Sequence, residues 1–447
     1  RNQLFRHLRT SNKCSLGNGK QKEAVGEEDL SQQLVKVILL VAYLGRAYHG
    51  SARNDSRDSV PTVEGRLWEA IARALSDRTN DGNDTAAAGS ITTTTTSSSS
   101  SSSFARQIER HTNPKAMTRS SRTDKGVSSL GNIYSLLLPD VAYEDEASFA
   151  SGINRHLPDD IRLLRIHVAN NDKNDGSNIP MSFNARTCCE ARRYRYLVPT
   201  RALFRRGEGE GDGGPAMESI MDLRKRMKQV LLQWGGTHSF HNFTNWKESS
   251  SETQDRGQNR QNEGQQKVQH DDHGDDAKDA TSHFRHILRC HVEDVIQNNA
   301  RDFLVISIKG QSFLYHQIRK MMGASIGVMN GSLPPDFISR ALKKRDDRDV
   351  ADDDGHCAVA HAVPLAPAEG LVLVESIYSK YCSKHNMEPI GLGTKVLSRG
   401  SGGGGDAVPG SSDWEGAAAE LAKDTRLFQE RVYAQIFRDQ ELNFSLS

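Results

Sequence analysis

The sequence predicts an α+β fold made of two successive β-α-β-β-α-β units. Three observations carry that prediction. Apolar runs of strand length alternate with segments in which apolar residues recur every three and four positions. The order strand, helix, strand, strand, helix, strand is met twice. Setting aside the low-complexity stretches leaves this pattern readable.

Composition sets the bounds. A chain of 447 residues has room for about two to three ordinary domains. Its hydrophobic fraction, 36%, is low for one compact globule, so part of the length is not core. Basic and acidic residues nearly cancel, 58 against 57. That balance does not announce a nucleic-acid binder, but basic residues can still cluster on one face. The six cysteines are scattered without a C-x-x-C pair, which fits structural thiols in a reducing compartment. No run of about 18 apolar residues is present, so no transmembrane helix and no membrane partner are expected. The first residues, RNQLFRHLRTSNK, are basic. They read as the remains of a mitochondrial transit peptide, as a nuclear signal, or as a solvated tail.

Several stretches cannot build a core: 77–103 with its Thr and Ser runs, 205–214, 249–280, the acidic 345–356, and the Gly/Ser-rich 399–412. They read as loop insertions. The glycines of 205–214 are no phosphate loop, since no strand precedes them at the required spacing.

Between the insertions the elements follow in order. LVKVILLVAY at 34–43 is an apolar strand. Thr62 caps a helix that places Val63, Leu67, Ile71, Ala74 and Leu75 on one face. A short strand near 115–119, an apolar strand at 131–138, a helix at 145–156 and a strand at 160–168 complete the first unit. The second opens with strand 192–198. In 217–234, Ile220, Leu223, Met227, Leu231 and Trp234 recur at helical spacing. Strands at 285–296 and 302–309 follow, then a helix from near Ser312 to about Asn330 with Gly331 as its stop. A further helix at 335–343 precedes the closing strand, 370–378. The predicted organisation is a tail (1–33), a first half (34–178), a second half (179–398), and a linker with a C-terminal helical extension (399–447). Each half reads as ferredoxin-like (RRM-like) with a four-stranded antiparallel sheet. No residue-level repeat links the halves.

SRTDKGV at 121–127 lies between the two central strands of the first half. An Arg two residues before an Asp, followed by Gly, makes a tight polar turn. Alone, the string fits an ordinary hairpin loop with a local ion pair. In strand 192–198, Tyr194 and Tyr196 share one face and Arg193 and Arg195 the other. An aromatic face beside a basic one suits a splayed RNA nucleotide.

Taken in order, VAYLGRAYHG (41–50), TVEGRLWEAI (62–71), SRTDKGVSSLGN (121–132), FNARTCCEARRYRYLVP (183–199), GTHSFHNFT (236–244), SFLYHQIRKMMG (312–323) and AP-x-x-GL (366–371) resemble the TruA-type tRNA pseudouridine synthases. The resemblance runs from about Val35 to Tyr378. The HNFT and HQIRKM forms are closer to the eukaryotic nuclear and mitochondrial branch than to the bacterial one.

That resemblance implies an isomerase. Uridine in tRNA is flipped out, its N1–C1′ bond is broken, and C5 is joined to C1′. The reaction has no net redox change, so no cofactor is required, and no metal is implied. Asp124 matches the catalytic nucleophile, a carboxylate that adds to C1′ or stabilises charge there. Arg122 matches an Arg that pairs with this Asp and enters the RNA on flipping. Arg319 matches a second Arg that keeps the carboxylate ionised. Tyr194 matches the Tyr that stacks on the target base and takes part in proton movement, and Leu371 an apolar residue beside the uracil. Lys125 and Arg193 are expected to bind substrate. Arg46, Lys115, Arg119, Arg192, Arg195 and Lys320 are expected to line or flank the RNA path. The two halves would be joined sheet to sheet around a central active-site cleft.

The partners implied are tRNA and, as an open alternative, other RNAs. A monomer is favoured over the bacterial dimer, and the nucleus and/or mitochondrion is the expected compartment. Three features depart from the family pattern: Ser51 and Ala52 where a Gln often follows the first Gly-rich turn, Ser128 and Ser129 where the family has a small residue and His, and the long polar insertions. The scattered His238, His241, His283, His286 and His291 lack metal-ligand spacing. Cys188 and Cys189 read as packing residues. Two rivals remain: a non-catalytic RNA-binding or RNA-folding protein of the same fold, and a protein–protein module with an accidental loop match. The second requires Asp124 to lie far from Tyr194 and Arg319.

Overall fold

The computed structural model describes residues 34–53, 60–81, 117–139, 146–168, 179–204, 220–244, 283–298, 301–343, 363–387, 389–391, 426–428 and 430–439. The N-terminal tail, Lys115 and insertions 205–214, 249–280, 345–356 and 399–412 lie outside them.

The described chain is α+β. Its strands are β1 (Leu34–Tyr43), β2 (Thr118–Arg119), β3 (Ser128–Pro139), β4 (Ile161–Val168), β5 (Ala191–Pro199), β6 (Gly236–Ser239), β7 (Phe284–Asn298), β8 (Arg301–Gly310) and β9 (Leu371–Ile377). They form one nine-stranded sheet ordered β4-β1-β3-β9-β5-β8-β7-β6, with β2 pairing on β3 off this path. All pairings are antiparallel except β3 with β9, which run parallel through Ser128↔Val372 and Ser129↔Leu373. The sheet is therefore mixed, not two separate antiparallel ones. The first half contributes the order β4-β1-β3-β2 and the second β9-β5-β8-β7. β2 is only two residues long and pairs beside Tyr134 and Ser135. The start of β3 is left open for β9.

The helices are α1 (Val63–Asp81), α2 (Glu146–His156), α3 (Ile220–Leu232), α4 (Gln317–Met329), α5 (Phe337–Leu342) and α6 (Ser379–Lys384). α1 starts as the sequence predicts: the Gly65 N–H donates to Thr62 Oγ1 at 3.2 Å. It runs to Asp81, past the insertion boundary expected at 77. α4 begins at Gln317, not near Ser312, because His316 takes a left-handed backbone at φ 61°. Its end is as predicted, with Gly331 at φ 76° after the Asn330 cap. β6 and α6 have no counterpart in the sequence reading.

β1 explains why its sequence is apolar at every position but Lys36. It is hydrogen-bonded on both edges, to β3 and β4, and buried on both faces. Val35, Val37, Leu39, Val41 and Tyr43 face α1 and α2, where they meet Leu67, Ile71, Phe149 and Ile153. Ile38, Leu40 and Ala42 face the other way. There they join Leu197, Phe303 and Val372 from the second half, together with Phe428, Val432 and Ile436 of the C-terminal helical segment. These last three recur every four residues, so one stripe of that segment lies against the sheet. Arg46 pairs with buried Asp439 at 2.5 Å, and Arg195 donates to the Tyr433 hydroxyl at 2.7 Å. The segment thus touches both halves. The second half has its own core on the opposite face, where Trp234, Phe240 and Phe243 pack with Met227, Leu231, Met321 and Met322.

Gly323 sits in α4 where the 363–366 segment crosses it. A Cβ there would collide with the Pro364 carbonyl and crowd the Ala366 nitrogen. Gly323→Ala is expected to destabilise the fold by about 1–3 kcal/mol through backbone overpacking, read as a lower urea midpoint with an unchanged slope.

Candidate active site

Residues 120–127 leave β2 and turn into β3, and a buried polar network fixes their path. Asn132, on β3 and fully buried, is its centre. Its Oδ1 accepts from the Ser120 hydroxyl at 2.7 Å and the Ser121 N–H at 3.3 Å. Its Nδ2 donates to the Ser121 carbonyl at 3.0 Å and to the Tyr43 hydroxyl at 3.2 Å. The Tyr43 hydroxyl also bonds Thr123 Oγ1 at 2.9 Å. Ser51 grips the same residue twice: the Thr123 N–H donates to its Oγ at 2.9 Å, and its own N–H donates to the Thr123 carbonyl at 3.1 Å. From the second half, the Ser376 hydroxyl donates to Ser120 Oγ at 2.7 Å. Buried groups satisfied on this scale define one conformation, because each broken bond would leave a desolvated partner. Asp124 follows directly after the held Thr123.

The second half supplies what faces Asp124. An Nη of Arg319, on the first turn of α4, lies 3.8 Å from Asp124 Oδ2. Its Nε donates to the Ala366 carbonyl at 2.8 Å, and the Ala366 N–H donates to the Arg319 carbonyl at 3.2 Å. The guanidinium is therefore aimed by the segment that leads into β9. A cation this close favours the ionised carboxylate. His316 Nε2 lies 3.7 Å from the same oxygen. Burial, with Arg319 and Lys320 alongside, pulls the His316 imidazole down to about 4. At neutral pH the contact is one of carboxylate with neutral imidazole, not an ion pair.

Tyr194 is buried, its hydroxyl 2.6 Å from Ser121 Oγ and its ring edge-on to Phe313 at 5.3 Å. Burial pushes its phenol above the usual range, and the charge of Asp124 adds in the same direction. Leu371, at the start of β9, is buried in the same cluster as Tyr194 and Val127. Asp124, Arg319, Tyr194 and Leu371 are thus brought together, against the requirement of the accidental-match reading.

Other expected positions fall elsewhere. Arg122 is exposed, and among the described residues no ion pair joins it to Asp124; the carboxylate faces α4 instead. Lys125 is exposed beside it. Arg193 is turned to the sheet face opposite Tyr194, as strand alternation dictates. Its Nε donates to Glu375 at 3.2 Å, and Glu293 lies 3.6 Å away. Arg195 shares Glu293 in a two-pronged pair at 2.8 and 2.5 Å. These arginines are bound into an acidic back face and do not reach the site. Arg192 spends its donors on the carbonyls of Ser120, Arg186, Cys189 and Gln311. Arg119 pairs with buried Glu64 at 2.5 Å. Lys320 is buried and donates to the Thr244 carbonyl at 3.0 Å. Each is held by structure where a place on the RNA path was expected, paired with carbonyls or carboxylates that packing brings alongside it. Tyr196 is buried, its hydroxyl donating to the Pro367 carbonyl at 2.9 Å. Among the described residues no group of His, Cys, Asp and Glu has metal-site geometry, and none of their helices is long and apolar enough to cross a membrane.

Sequence reasoning missed Asn132, Ser51 and His316. Asn132 closes the SRTDKGVSSLGN string and Ser51 stands at a departure from the family pattern, so position alone flagged both without a role. Ser129, the other departure, donates to the Leu373 carbonyl at 3.2 Å, across the β3–β9 junction. His316 was legible only as a neighbour of Arg319.

A family model described as tRNA pseudouridine synthase matches residues 233–379. The chain is 26% identical over 404 residues to a mouse (Mus musculus) protein named Pseudouridylate synthase 1 homolog, covering 90% of this chain and 69% of that protein. It is 28% identical over 350 residues to the human (Homo sapiens) protein of the same name, covering 77% and 60%. It is 23% identical over 394 residues to tRNA pseudouridine synthase 1 of Saccharomyces cerevisiae, covering 77% and 62%. The chain thus spans 60 to 69% of the length of these relatives.

Two outcomes follow from the site's construction. Asn132→Ala strips the 120–123 loop of its central partner. It is expected to cost about 1–3 kcal/mol and to speed amide hydrogen exchange at Ser121 and Thr123 before exchange rises elsewhere. His316 in the unfolded chain takes a proton near its ordinary value of about 6.5, whereas folded it resists until about 4. The unfolded state then binds more protons in that window, so stability is full above it and falls as pH drops through it. His316→Gln is expected to lose this part of the acid sensitivity, seen by comparing urea midpoints at about pH 7 and about pH 5. The share from His167, which burial likewise lowers to about 4, stays.

Proposed function

We propose that the chain, similar to pseudouridine synthases of the TruA type on their eukaryotic branch, isomerises specific uridines in tRNA to pseudouridine with Asp124 as the catalytic nucleophile. The observation that carries this reading is the Asp124 carboxylate from the first half lying 3.8 Å from the Arg319 guanidinium of the second. A carboxylate beside a flipped nucleotide can act at C1′ while N1 leaves, and the fixed cation keeps it ionised in a partly closed site.

The repeated strand orders β4-β1-β3-β2 and β9-β5-β8-β7 support the finer reading of two ferredoxin-like halves, 34–178 and 179–398, around a central cleft. The isomerisation needs three things besides the carboxylate. Uridine must leave its stack, and exposed Arg122 is able to enter the space it vacates, offsetting part of the unstacking cost of a few kcal/mol. The freed uracil must turn without diffusing away; the Tyr194 ring and Leu371 supply apolar walls for it. Finally C5 loses its proton after joining C1′. Tyr194 stays a neutral phenol, which favours its stacking role over that of a proton acceptor.

The test is turnover of unmodified tRNA carrying tritium at uridine C5, which the reaction releases to water. Asp124→Asn is expected to lower the rate by about 10³-fold or more while tRNA binding stays within a few-fold. A variant running at the wild-type rate would sink the assignment. A wild-type protein that binds tRNA but releases no tritium would favour the non-catalytic reading. Mapping pseudouridine in cellular RNA with and without Asp124→Ala would name the target positions.

A further inference from the structure

Consecutive side chains do not ordinarily stack ring on ring. On a strand they point to opposite faces, and on a helix they diverge by about 100°. Tyr315 and His316 nonetheless lie ring against ring, centroids 3.7 Å apart and planes 24° from parallel. The backbone of His316, at φ 61° and ψ −2°, makes the reversal that allows it. A non-glycine residue persists in that left-handed region only where its surroundings hold it. Here the Leu314 N–H donates to Gln317 Oε1 at 2.8 Å. The Gln317 N–H donates to the Leu314 carbonyl at 3.1 Å, and the Lys320 N–H to the His316 carbonyl at 3.0 Å. Gln317 itself is fully buried. The turn is thus built, and its product is a two-ring stack with an inner and an outer member. The inner ring, His316, is 11% exposed and faces Asp124. The outer ring, Tyr315, is 47% exposed.

We propose that Tyr315 is a stacking platform for an unpaired nucleobase at the mouth of the Asp124 site, taking the base next to the flipped uridine. This rests on the reading of the site as a uridine isomerase. Extruding one nucleotide strips its neighbours of a stacking partner. An exposed aromatic ring, backed by a second ring that faces the carboxylate, replaces that partner without reading the base's identity. The stack also explains why a strained turn is maintained there: a Tyr on a regular helix would not hold its ring parallel to that of His316.

The experiment uses the full chain and unmodified tRNA. Stacking of one base on an aromatic side chain is worth about a tenfold change in affinity or more. Tyr315→Leu is expected to raise KM by about tenfold with kcat held within about twofold, and Tyr315→Phe to restore the wild-type KM. An abasic site placed on the 5′ or the 3′ side of the target is expected, on one of those sides, to weaken the wild type by a similar factor and to weaken Tyr315→Leu no further. Independently of any variant, 2-aminopurine at that position is expected to stay quenched when wild-type protein binds. An unchanged KM in Tyr315→Leu, a loss confined to kcat, abasic effects that multiply with the substitution, or bright 2-aminopurine in the complex would each overturn the proposal. If the wild type turns over uridine while these results appear, the platform alone fails. If the wild type turns over no uridine, the isomerase reading fails and takes the platform with it.

Discussion

The site depends on one carboxylate being held in a fixed position by groups that are themselves buried and satisfied. Asp124 hangs from a loop whose neighbours Ser120, Ser121 and Thr123 bond to Asn132, Tyr43 and Ser51. None of these partners can relax toward water, since all are interior. The loop therefore moves only if several buried hydrogen bonds break together, which makes its position a property of the whole first half. The second half is locked to it through Ser376 on Ser120 and Ser129 on the Leu373 carbonyl. The short β3–β9 pairing sets the distance across which Asp124 and Arg319 meet.

The electrostatics of the site follow from that frame. Arg319 is the strong cation near Asp124, and it is anchored by the Ala366 backbone, not left to sample rotamers. Lys320, next to it in sequence, is turned inward to cap the carbonyls of the 241–244 turn. His316 is kept neutral by burial and by these same cations. The carboxylate thus meets a charged group in Arg319 and a neutral one in His316. Arg193 and Arg195 of β5 are neutralised on the far side of the sheet by Glu293 and Glu375. The exposed cations beside Asp124 are the loop residues Arg122 and Lys125.

Much of the fold was legible because burial imposes periodicity. β1 is apolar at every position but Lys36 since both its faces are covered, and α1 shows its stripe at Val63, Leu67, Ile71 and Leu75 since only one face is. The helix stop at Gly331 was readable because a left-handed residue after a helix is almost a glycine signature. The break at His316 was not, because nothing in the string SFLYHQIRKMMG marks a histidine for the same conformation. β6 escaped as well: four residues, GTHS, carry too little alternation to stand out. Arg193 and Arg195 were misplaced because strand alternation says which side chains share a face, but not which face looks toward Asp124.

The sequence by itself determined the order of the elements other than β6 and α6, many of the core residues, and the short strings in which Asp124, Tyr194, Arg319 and Leu371 stand. Those are local properties, set by spacing and side-chain type. Only the tertiary structure decided which charges are free. Arg119, Arg192, Arg193, Arg195 and Lys320 look alike in the chain, yet each is consumed by a carbonyl or carboxylate brought from far away in sequence. The physical reason is that a cation pairs with the acceptors brought beside it, and which acceptors those are is settled by the packing of distant segments, about which a linear string carries no term.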